Sequence, residues 1–265
     1  MPKPYYETNL GKLYCGDCLE IMPQITDKID LVTADLPYGV TDCQWDSLIN
    51  LNDLWPLYNQ ITKNSAIIAL TANQPFSSML IMNNLSMFKY EWIWAKNRAT
   101  GFLLSKHRPL SNHEHILIFG KGLTKYKPQK TFGHPPTNSA KGCSQGSIYH
   151  GKNIRNYSGG DTSRFPLSIQ YFKSERGFHP VQKPISLICY ILKTYTDEND
   201  LVLDNVIGSG TTAVACERLN RRWIGIEISE EYCETAKNRI KKEAAQIKIW
   251  ETNTHAKTEQ DSFLH

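Results

Sequence analysis

The sequence predicts an α/β fold in which a doubly wound, seven-stranded sheet is covered by helices on both faces. Short continuous apolar runs, which are typical of buried parallel strands, alternate with segments of helical periodicity. A glycine-rich turn, 208–210, joins one such run to a helix near the C-terminal end. The 265 residues are 40% hydrophobic, which is sufficient for one large core.

Seven segments have the composition of buried strands. Each is a short run rich in apolar residues that ends at a polar residue or a glycine. They are 12–15, 29–34, 65–71, 90–95, 114–119, 201–203 and 223–226.

The helices are predicted between these strands. Segments that begin near Asp53, Pro75, Pro184 and Ser229 show apolar residues at helical spacing. Asp53 and Ser229 carry side chains suited to an N-cap, and the two prolines are suited to a first helical turn.

The distribution of charge sets residues 121–176 apart from the rest of the chain. This segment has ten Lys and Arg residues against two acidic residues, whereas the whole chain has a net charge of only +4. It also lacks periodicity, so we predict an irregular basic insert that contacts a polyanion. The catalytic domain is predicted to be discontinuous, 1–120 and 177–250, and residues 251–265 are predicted to form a frayed tail.

Other bulk features narrow the class of protein. The seven cysteines are scattered, and the pair Cys15 and Cys18 has no second Cys-x-x-Cys pair, so we expect reduced thiols and no metal site. The N-terminus lacks the apolar core of a signal peptide, and no apolar run approaches the roughly 18 residues of a membrane span. We therefore expect a cytoplasmic protein without a membrane partner.

Residues 201–229 read as strand, glycine turn, helix, strand and acid. The first strand ends at Asp204, and the second ends at Glu227. In Rossmann-like folds such a unit holds a nucleoside-bearing cofactor, because glycines let the backbone approach the ligand and the carboxylate accepts hydrogen bonds from a ribose hydroxyl. The pattern alone also fits an NAD-dependent oxidoreductase.

A second motif follows the strand 29–34, at the strand end where open α/β sheets bind ligands. This motif is Asp35-Leu36-Pro37-Tyr38. It resembles the Asp-Pro-Pro-Tyr motif of DNA amino-methyltransferases, which transfer a methyl group from S-adenosylmethionine to an exocyclic base nitrogen. Residues 204–212 are similar to the cofactor signature of that family, and His179-Pro180-Val181-Gln182-Lys183-Pro184 resembles the segment before its cofactor-side helix.

The order of these motifs also matches the family. The catalytic motif comes first, the basic segment next and the glycine motif last, which is the permuted order of the beta arrangement. The resemblance extends from Leu13 to about Ile240 and implies a Rossmann-like methyltransferase sheet. Two departures are Leu36, in place of the first proline of the catalytic motif, and Asn205-Val206, in place of the usual Pro-Phe after Asp204.

The resemblance implies a mechanism for the catalytic motif. Asp35 and the backbone carbonyl of Leu36 or Pro37 would accept the two N–H bonds of the amine, which directs its lone pair toward an in-line methyl transfer. Tyr38 would stack on a base flipped out of double-stranded DNA.

The resemblance also implies binding residues for the cofactor and for DNA. S-adenosylmethionine would be bound by Asp17, Asp35, His179, Lys183, Asp204, Gly208, Gly210, Thr211 and Glu227. Contacts to DNA are predicted for Trp45, Lys96, Asn97, Arg155, Arg164 and Arg176, of which the arginines are suited to base readout in a major groove. Relatives often dimerise, so a homodimer is left open.

An Asp at the first catalytic position favours adenine in this family, whereas Ser favours cytosine. We therefore predict a site-specific N6-adenine DNA methyltransferase of a restriction-modification system, with N4-cytosine methylation as the alternative. Carbon-5 methylation of cytosine is set aside because no proline in the chain is followed by the required cysteine. An oxidoreductase would leave residues 35–38 without a role, and a non-catalytic DNA-binding module would leave both motifs without one.

Overall fold

The structure, a computed structural model, describes residues 2–38, 48–136, 160–175, 177 and 182–262. The chain divides into two compact units, Met1–Lys127 with Ser168–His265, and Pro128–Leu167. The second unit lies within the predicted insert 121–176, and both ends of that segment belong to the first unit.

The first unit is built on one mixed sheet, which has nine strands among the described residues. The strands are β1 (Tyr6–Glu7), β2 (Gly11–Cys15), β3 (Ile29–Ala34), β4 (Thr62–Ala72), β5 (Phe88–Thr100), β6 (Ser111–Phe119), β7 (Ile169–Phe172), β8 (Leu201–Asp204) and β9 (Arg222–Glu227). Their order across the sheet is β1-β2-β9-β8-β3-β4-β6-β5-β7. Neighbours from β2 to β4 are parallel, while β6 runs antiparallel to both β4 and β5.

The predicted count of seven strands is wrong because two edge strands were missed. β1 is too short to show an alternating pattern, and it pairs with β2 through two residues only. β7 lies in the segment predicted to be irregular, and it pairs in parallel with β5. Its stability comes from this backbone pairing and from the indole of Trp94, which donates to the Phe172 carbonyl at 2.9 Å. Neither contact leaves a periodic signal in the sequence.

Helices cover both faces of the sheet, so the doubly wound α/β class is confirmed. They are α1 (Cys18–Ile21), α2 (Leu51–Ile61), α3 (Phe76–Asn83), α4 (Ile185–Tyr195), α5 (Thr211–Arg218) and α6 (Glu230–Ser262). Helices α1 to α3 pack on one face and α4 to α6 on the other, and each group forms a separate apolar core with the sheet.

Two helix boundaries differ from the sequence prediction. The N-cap of α2 is Asn50, whose side chain accepts from the Asn52 amide, while Asp53 lies in the first turn and accepts from Asn50. Helix α6 continues to Ser262, so its backbone includes most of the tail that was predicted to fray, 251–265. Residues 251–262 contain no proline or glycine, and nothing in this sequence therefore ends the helix.

The carboxyl ends of the parallel strands meet at one edge of the sheet. Ala34 of β3 is followed by Asp35, β8 ends at Asp204, and β9 ends at Glu227. Because β3, β8 and β9 are adjacent and parallel, the three carboxylates come to the same edge.

Candidate active site

A cavity of about 470 Å³ opens at this edge and is lined by both sequence motifs. Residues 35–38 form one part of its wall, and the turn 204–209 forms another. The tertiary structure thus brings together two segments from opposite ends of the chain, as the resemblance to the methyltransferases requires.

Asp35 is held by contacts from three elements. Its Oδ1 accepts from the Tyr38 hydroxyl at 2.8 Å and also from the hydroxyl of Thr71 at the end of β4. Its Oδ2 accepts from the Lys183 ammonium at 2.5 Å. The carboxylate is 26% exposed, so it is fixed in orientation while one side remains open to the cavity.

Lys183 lies next to the N-cap of α4 and is buried among acidic groups. Its ammonium contacts Asp35 and, at 3.2 Å, Glu114 of β6. Glu114 also binds Lys96 of β5 at 3.0 Å. Burial alone lowers the pKa of Lys183, but the Asp35 and Glu114 carboxylates outweigh it and the pKa is raised. Lys183 is therefore a cation at neutral pH.

Tyr38 is placed as a platform on one wall of the cavity. Its ring packs against Phe76 with a centroid distance of 5.2 Å. Burial, followed by the nearby Asp35 charge, raises the pKa of Tyr38 well above its ordinary value, so the phenol remains a neutral donor. Leu36, in contrast, points into the core beneath the turn and is 2% exposed.

The glycine turn is held by Glu227. The Gly208 amide donates to one carboxylate oxygen at 2.8 Å, and the Ser229 amide donates to the other at 2.9 Å. Gly208 adopts φ 52°, and a Cβ built on it would meet no heavy atom closer than 4.0 Å, so its surroundings are open to a ligand. Burial raises the pKa of Glu227, and the amide donors oppose this shift.

Gly210, the other glycine of the turn, packs against α6. It does not line the cavity, because it lies against α6, where a Cβ would be 2.9 Å from the Ala236 Cβ. Its φ of 83° also favours glycine. The geometry therefore assigns Gly210 to the packing of the turn against α6.

Asp204 lies at the base of the cavity and is buried. Its Oδ1 accepts from the Val206 amide at 3.2 Å, and its Oδ2 accepts from the Thr212 hydroxyl at 2.5 Å. Burial raises the pKa of Asp204 to about 7, despite these two donors. This carboxyl group therefore titrates close to neutral pH.

The structure brings most of the predicted site residues to the cavity. The residues that line it are Asp17, Asp35, Leu36, Pro37, Tyr38, Lys183, Asp204, Gly208, Thr211 and Glu227. Four further predicted residues lie outside the described part of the chain: Trp45, Arg155, Arg176 and His179.

The described DNA-contact candidates are engaged in internal contacts. The Lys96 side chain is 7% exposed and pairs with Glu114, so it is not placed to reach a phosphate. Asn97 accepts from the Ser174 amide at 2.8 Å. The guanidinium of Arg164 donates to the carbonyls of Ser163 and Pro135, which both belong to the second unit.

Sequence reasoning missed several residues that support the site. Thr71 and Glu114 contact Asp35 and Lys183 but belong to no recognisable motif. Arg239 of α6 donates to the Ser209 carbonyl at 2.6 Å and to the Thr211 hydroxyl at 3.2 Å, so it supports the glycine turn from behind. In the sequence, Arg239 could have been recognised as a charged residue on the otherwise apolar face of the last helix.

The cavity suits a nucleoside-bearing ligand. Its volume falls in the range of about 300–1,000 Å³ that is usual for small-molecule sites. Asp17 and Glu227 provide carboxylates that can accept from ribose hydroxyls, and Leu19 and Ile228 provide apolar surface for a base. The open space at Gly208 allows close approach to the backbone. Among the described residues, no group of three or more His, Cys, Asp or Glu side chains could hold a metal ion.

Comparison with known families gives the class of this protein. A family model described as DNA methylase, of the N6/N4 class, matches residues 29–238. Because the match covers most of the chain, the chain belongs to this family of DNA amino-methyltransferases, and the predicted resemblance is confirmed. S-adenosylmethionine is accordingly its cofactor.

Two curated relatives are similar to this chain along most of its length. The type II methyltransferase M.BamHI of Bacillus amyloliquefaciens is 28% identical over 265 residues, which cover 90% of this chain and 59% of that protein. The type II methyltransferase M1.MboII of Moraxella bovis is 26% identical over 254 residues, with 86% of this chain and 95% of that protein covered. The chain thus spans little more than half of the first relative and nearly all of the second.

Solved structures agree with the fold. M1.HpyAVI, crystallised with S-adenosylmethionine, is 26% identical with a TM-score of 0.60, and the match covers 87% of this chain and 100% of that one. PvuII DNA methyltransferase, described as cytosine-N4-specific, has a TM-score of 0.66 at 18% identity, with 89% and 88% covered. At that identity the second likeness shows the fold alone. No described helix is both long and apolar enough to cross a membrane.

Proposed function

We propose that this chain methylates the exocyclic N6 of adenine at specific sites in double-stranded DNA, within a restriction-modification system. One observation carries the proposal: Asp35 lies in the same cavity as the glycine turn 204–209 and Glu227. A hydrogen-bond acceptor for an amine is therefore adjacent to a site suited to the methyl donor.

The residues of the catalytic turn can activate an amine by positioning alone. An exocyclic amine is a poor nucleophile because its lone pair is delocalised into the ring. Asp35 and the carbonyl of Leu36 or Pro37 accept the two N–H bonds and thereby direct the lone pair out of the ring plane. S-adenosylmethionine, when bound, supplies an electrophilic methyl group on its sulfonium sulfur.

Tyr38 contributes in two ways. Its ring, supported by Phe76, offers a flat surface on which a flipped base can stack. Its hydroxyl donates to the same Asp35 oxygen that an incoming amine needs. We propose that the amine replaces this hydroxyl as the donor to Asp35.

The preference for adenine rests on Asp35 at the first position of the catalytic motif. Nucleoside mass spectrometry of DNA from cells that express the chain tests this preference. We expect N6-methyladenine above the level of a host without the gene. N4-methylcytosine alone would overturn the preference for adenine and support the alternative.

Asp35→Ala should keep binding of S-adenosylmethionine and DNA within a few-fold of wild type, but lower turnover by about 100-fold or more, as is typical when a preorganised polar group is removed. Asp30→Ala is a matched control, since Asp30 lies at the other end of the same strand and pairs with Lys63. Calorimetry and a tritiated-methyl assay measure the two effects. Near-normal turnover by Asp35→Ala would remove Asp35 from the mechanism.

A further inference from the structure

Four charged side chains form a continuous row that leads away from the catalytic turn. In order they are Asp35, Lys183, Glu114 and Lys96, and the successive N to O distances are 2.5, 3.2 and 3.0 Å. The charges alternate in sign along the row. Each residue comes from a different part of the sheet or from the segment before α4, so the row connects β3 with β5 and β6.

The row is largely withdrawn from water. The side chains of Lys183, Glu114 and Lys96 are 9, 11 and 7% exposed. Buried ion pairs of this kind are often no more stabilising than well-packed apolar side chains of similar volume. Stability alone therefore does not account for two lysines and a glutamate behind the catalytic carboxylate.

We propose that Lys183 and Glu114 are positioning residues that act on the reaction through Asp35. Lys183 holds one oxygen of Asp35 and fixes the plane of the carboxylate, and Glu114 holds Lys183 in place. The inference rests on the proposed function, because it assumes that Asp35 accepts from the amine. It replaces the earlier expectation that Lys183 binds the cofactor.

The charges around Asp35 determine the sign of each effect. Tyr38 and Thr71 donate to it, Lys183 is the cation in contact with it, and Glu114 and Asp204 are acidic groups that face the same region. Without the Lys183 ammonium, Asp35 faces only neutral and acidic groups and becomes harder to ionise. The negative charge of Glu114 partly cancels the effect of the Lys183 ammonium on Asp35. Without that charge the ammonium acts more strongly, so Asp35 becomes no harder to ionise.

The test compares Lys183→Met, which keeps the length of the side chain, with Glu114→Gln. For Lys183→Met we expect kcat at pH 7 to fall at least tenfold, the acid limb of the kcat profile to move up by about one pH unit, and the Kd for S-adenosylmethionine to stay within threefold. Glu114→Gln should not move the acid limb upward. Lys183→Arg, which keeps the charge, should recover part of kcat and the wild-type acid limb.

Lys63→Met is the matched control, because Lys63 forms a comparably close pair with Asp30 at the opposite edge of the sheet. It should leave both kcat and the acid limb unchanged. If Lys183→Met does not fold, as judged by circular dichroism, the double variant Lys183→Met, Glu114→Gln removes both buried charges together. The upward shift of the acid limb should persist in that variant.

A second readout does not depend on turnover. Protein labelled with ¹³C at the side-chain carboxyls of Asp gives a resonance for Asp35, assigned by its loss in Asp35→Asn. This resonance should titrate at higher pH in Lys183→Met than in wild type. If it titrates at the same pH, the proposal is overturned; if cofactor affinity falls tenfold with an unchanged profile, Lys183 is a cofactor contact instead. Nucleoside mass spectrometry of the wild type tests the proposed function separately.

Discussion

Burial changes the acid–base behaviour of Asp204, which ends β8 beneath the cavity. In the unfolded chain its carboxyl group has its ordinary pKa of 3.8, whereas burial raises the pKa to about 7 in the folded chain. Between these values the folded protein retains a proton that the unfolded chain has released. The contribution of Asp204 to stability therefore falls as pH rises from about 4 to about 7 and is constant above that.

Asp204→Asn should remove this dependence, since the amide does not ionise and its oxygen can still accept from the Val206 amide. Between pH 5 and pH 8 the wild type should lose roughly 3 kcal/mol of free energy of unfolding that the variant does not lose. Urea unfolding of the cofactor-free protein at both pH values measures the difference. An equal effect of the substitution at pH 5 and pH 8 would show that Asp204 does not titrate in this range.

Tyr38 allows the ring and the hydroxyl to be separated experimentally. Tyr38→Phe keeps the ring against Phe76 and should retain turnover within about fivefold, because in the proposed reaction the amine replaces the hydroxyl as the donor to Asp35. Tyr38→Ala removes the surface for stacking and should lower turnover roughly 10- to 100-fold. Single-turnover kinetics with duplex DNA distinguish the two variants. Equal losses would argue against stacking as the role of the ring.

At the scale of an element, the glycine turn between β8 and α5 combines two different requirements. Gly208 lies in open space beside the cavity, while Gly210 lies against Ala236 of α6. The sequence pattern does not distinguish them, since both are glycines of one motif, separated only by Ser209. The packing of α6 against the turn creates the distinction.

Substitution by alanine should separate these roles. Gly210→Ala should lower the free energy of unfolding by about 1–3 kcal/mol, because the added methyl group overlaps α6 and the residue has a positive φ. Gly208 also has a positive φ, but a Cβ there meets no close atom, so we expect Gly208→Ala to lose less stability than Gly210→Ala but to bind S-adenosylmethionine more weakly. Urea unfolding and calorimetry on both variants check this contrast, which the reverse order of stabilities would contradict.

At the scale of the whole molecule, part of the positive charge of residues 121–176 is neutralised in the folded protein. Lys125 lies 2.6 Å from Asp200, and Lys127 also pairs with an acid of the same loop, Asp197. These two cations are therefore neutralised by acidic residues of the first unit, to which they also belong. We still predict that the other Lys and Arg residues of this segment contact DNA.

We expect DNA affinity to fall steeply with salt, because binding to phosphates releases counterions. Replacing Lys141, Lys152 and Arg155 together by Gln should reduce the slope of log K against log salt by up to about 3. Lys63→Gln, at the edge of the sheet away from the cavity, is the control and should leave the slope unchanged. Fluorescence anisotropy from 50 to about 200 mM salt covers the informative range; a flat response of the wild type would contradict the predicted surface.

The central elements of the fold could be predicted from the sequence because each carries its own signal. The segments 29–34 and 201–203 are short runs rich in apolar residues, and Ser229 marks the start of α6. β1 and β7 could not be predicted, since they depend on pairing with strands that are distant in the sequence. Among the site residues, Asp35 and Asp204 were found because they follow predicted strands, whereas Glu114 and Arg239 were not, since their roles are defined only by what they contact.

The sequence by itself determined the order of motifs, the class of fold and the chemistry of the two turns, because these depend on residue types at short spacing. Only the tertiary structure decided what surrounds Asp35. The parallel arrangement of β3, β8 and β9 places its carboxylate beside the glycine turn, and the antiparallel β6 delivers Glu114 to Lys183 from behind. Long-range strand pairing sets these contacts, and no local pattern in the sequence encodes them.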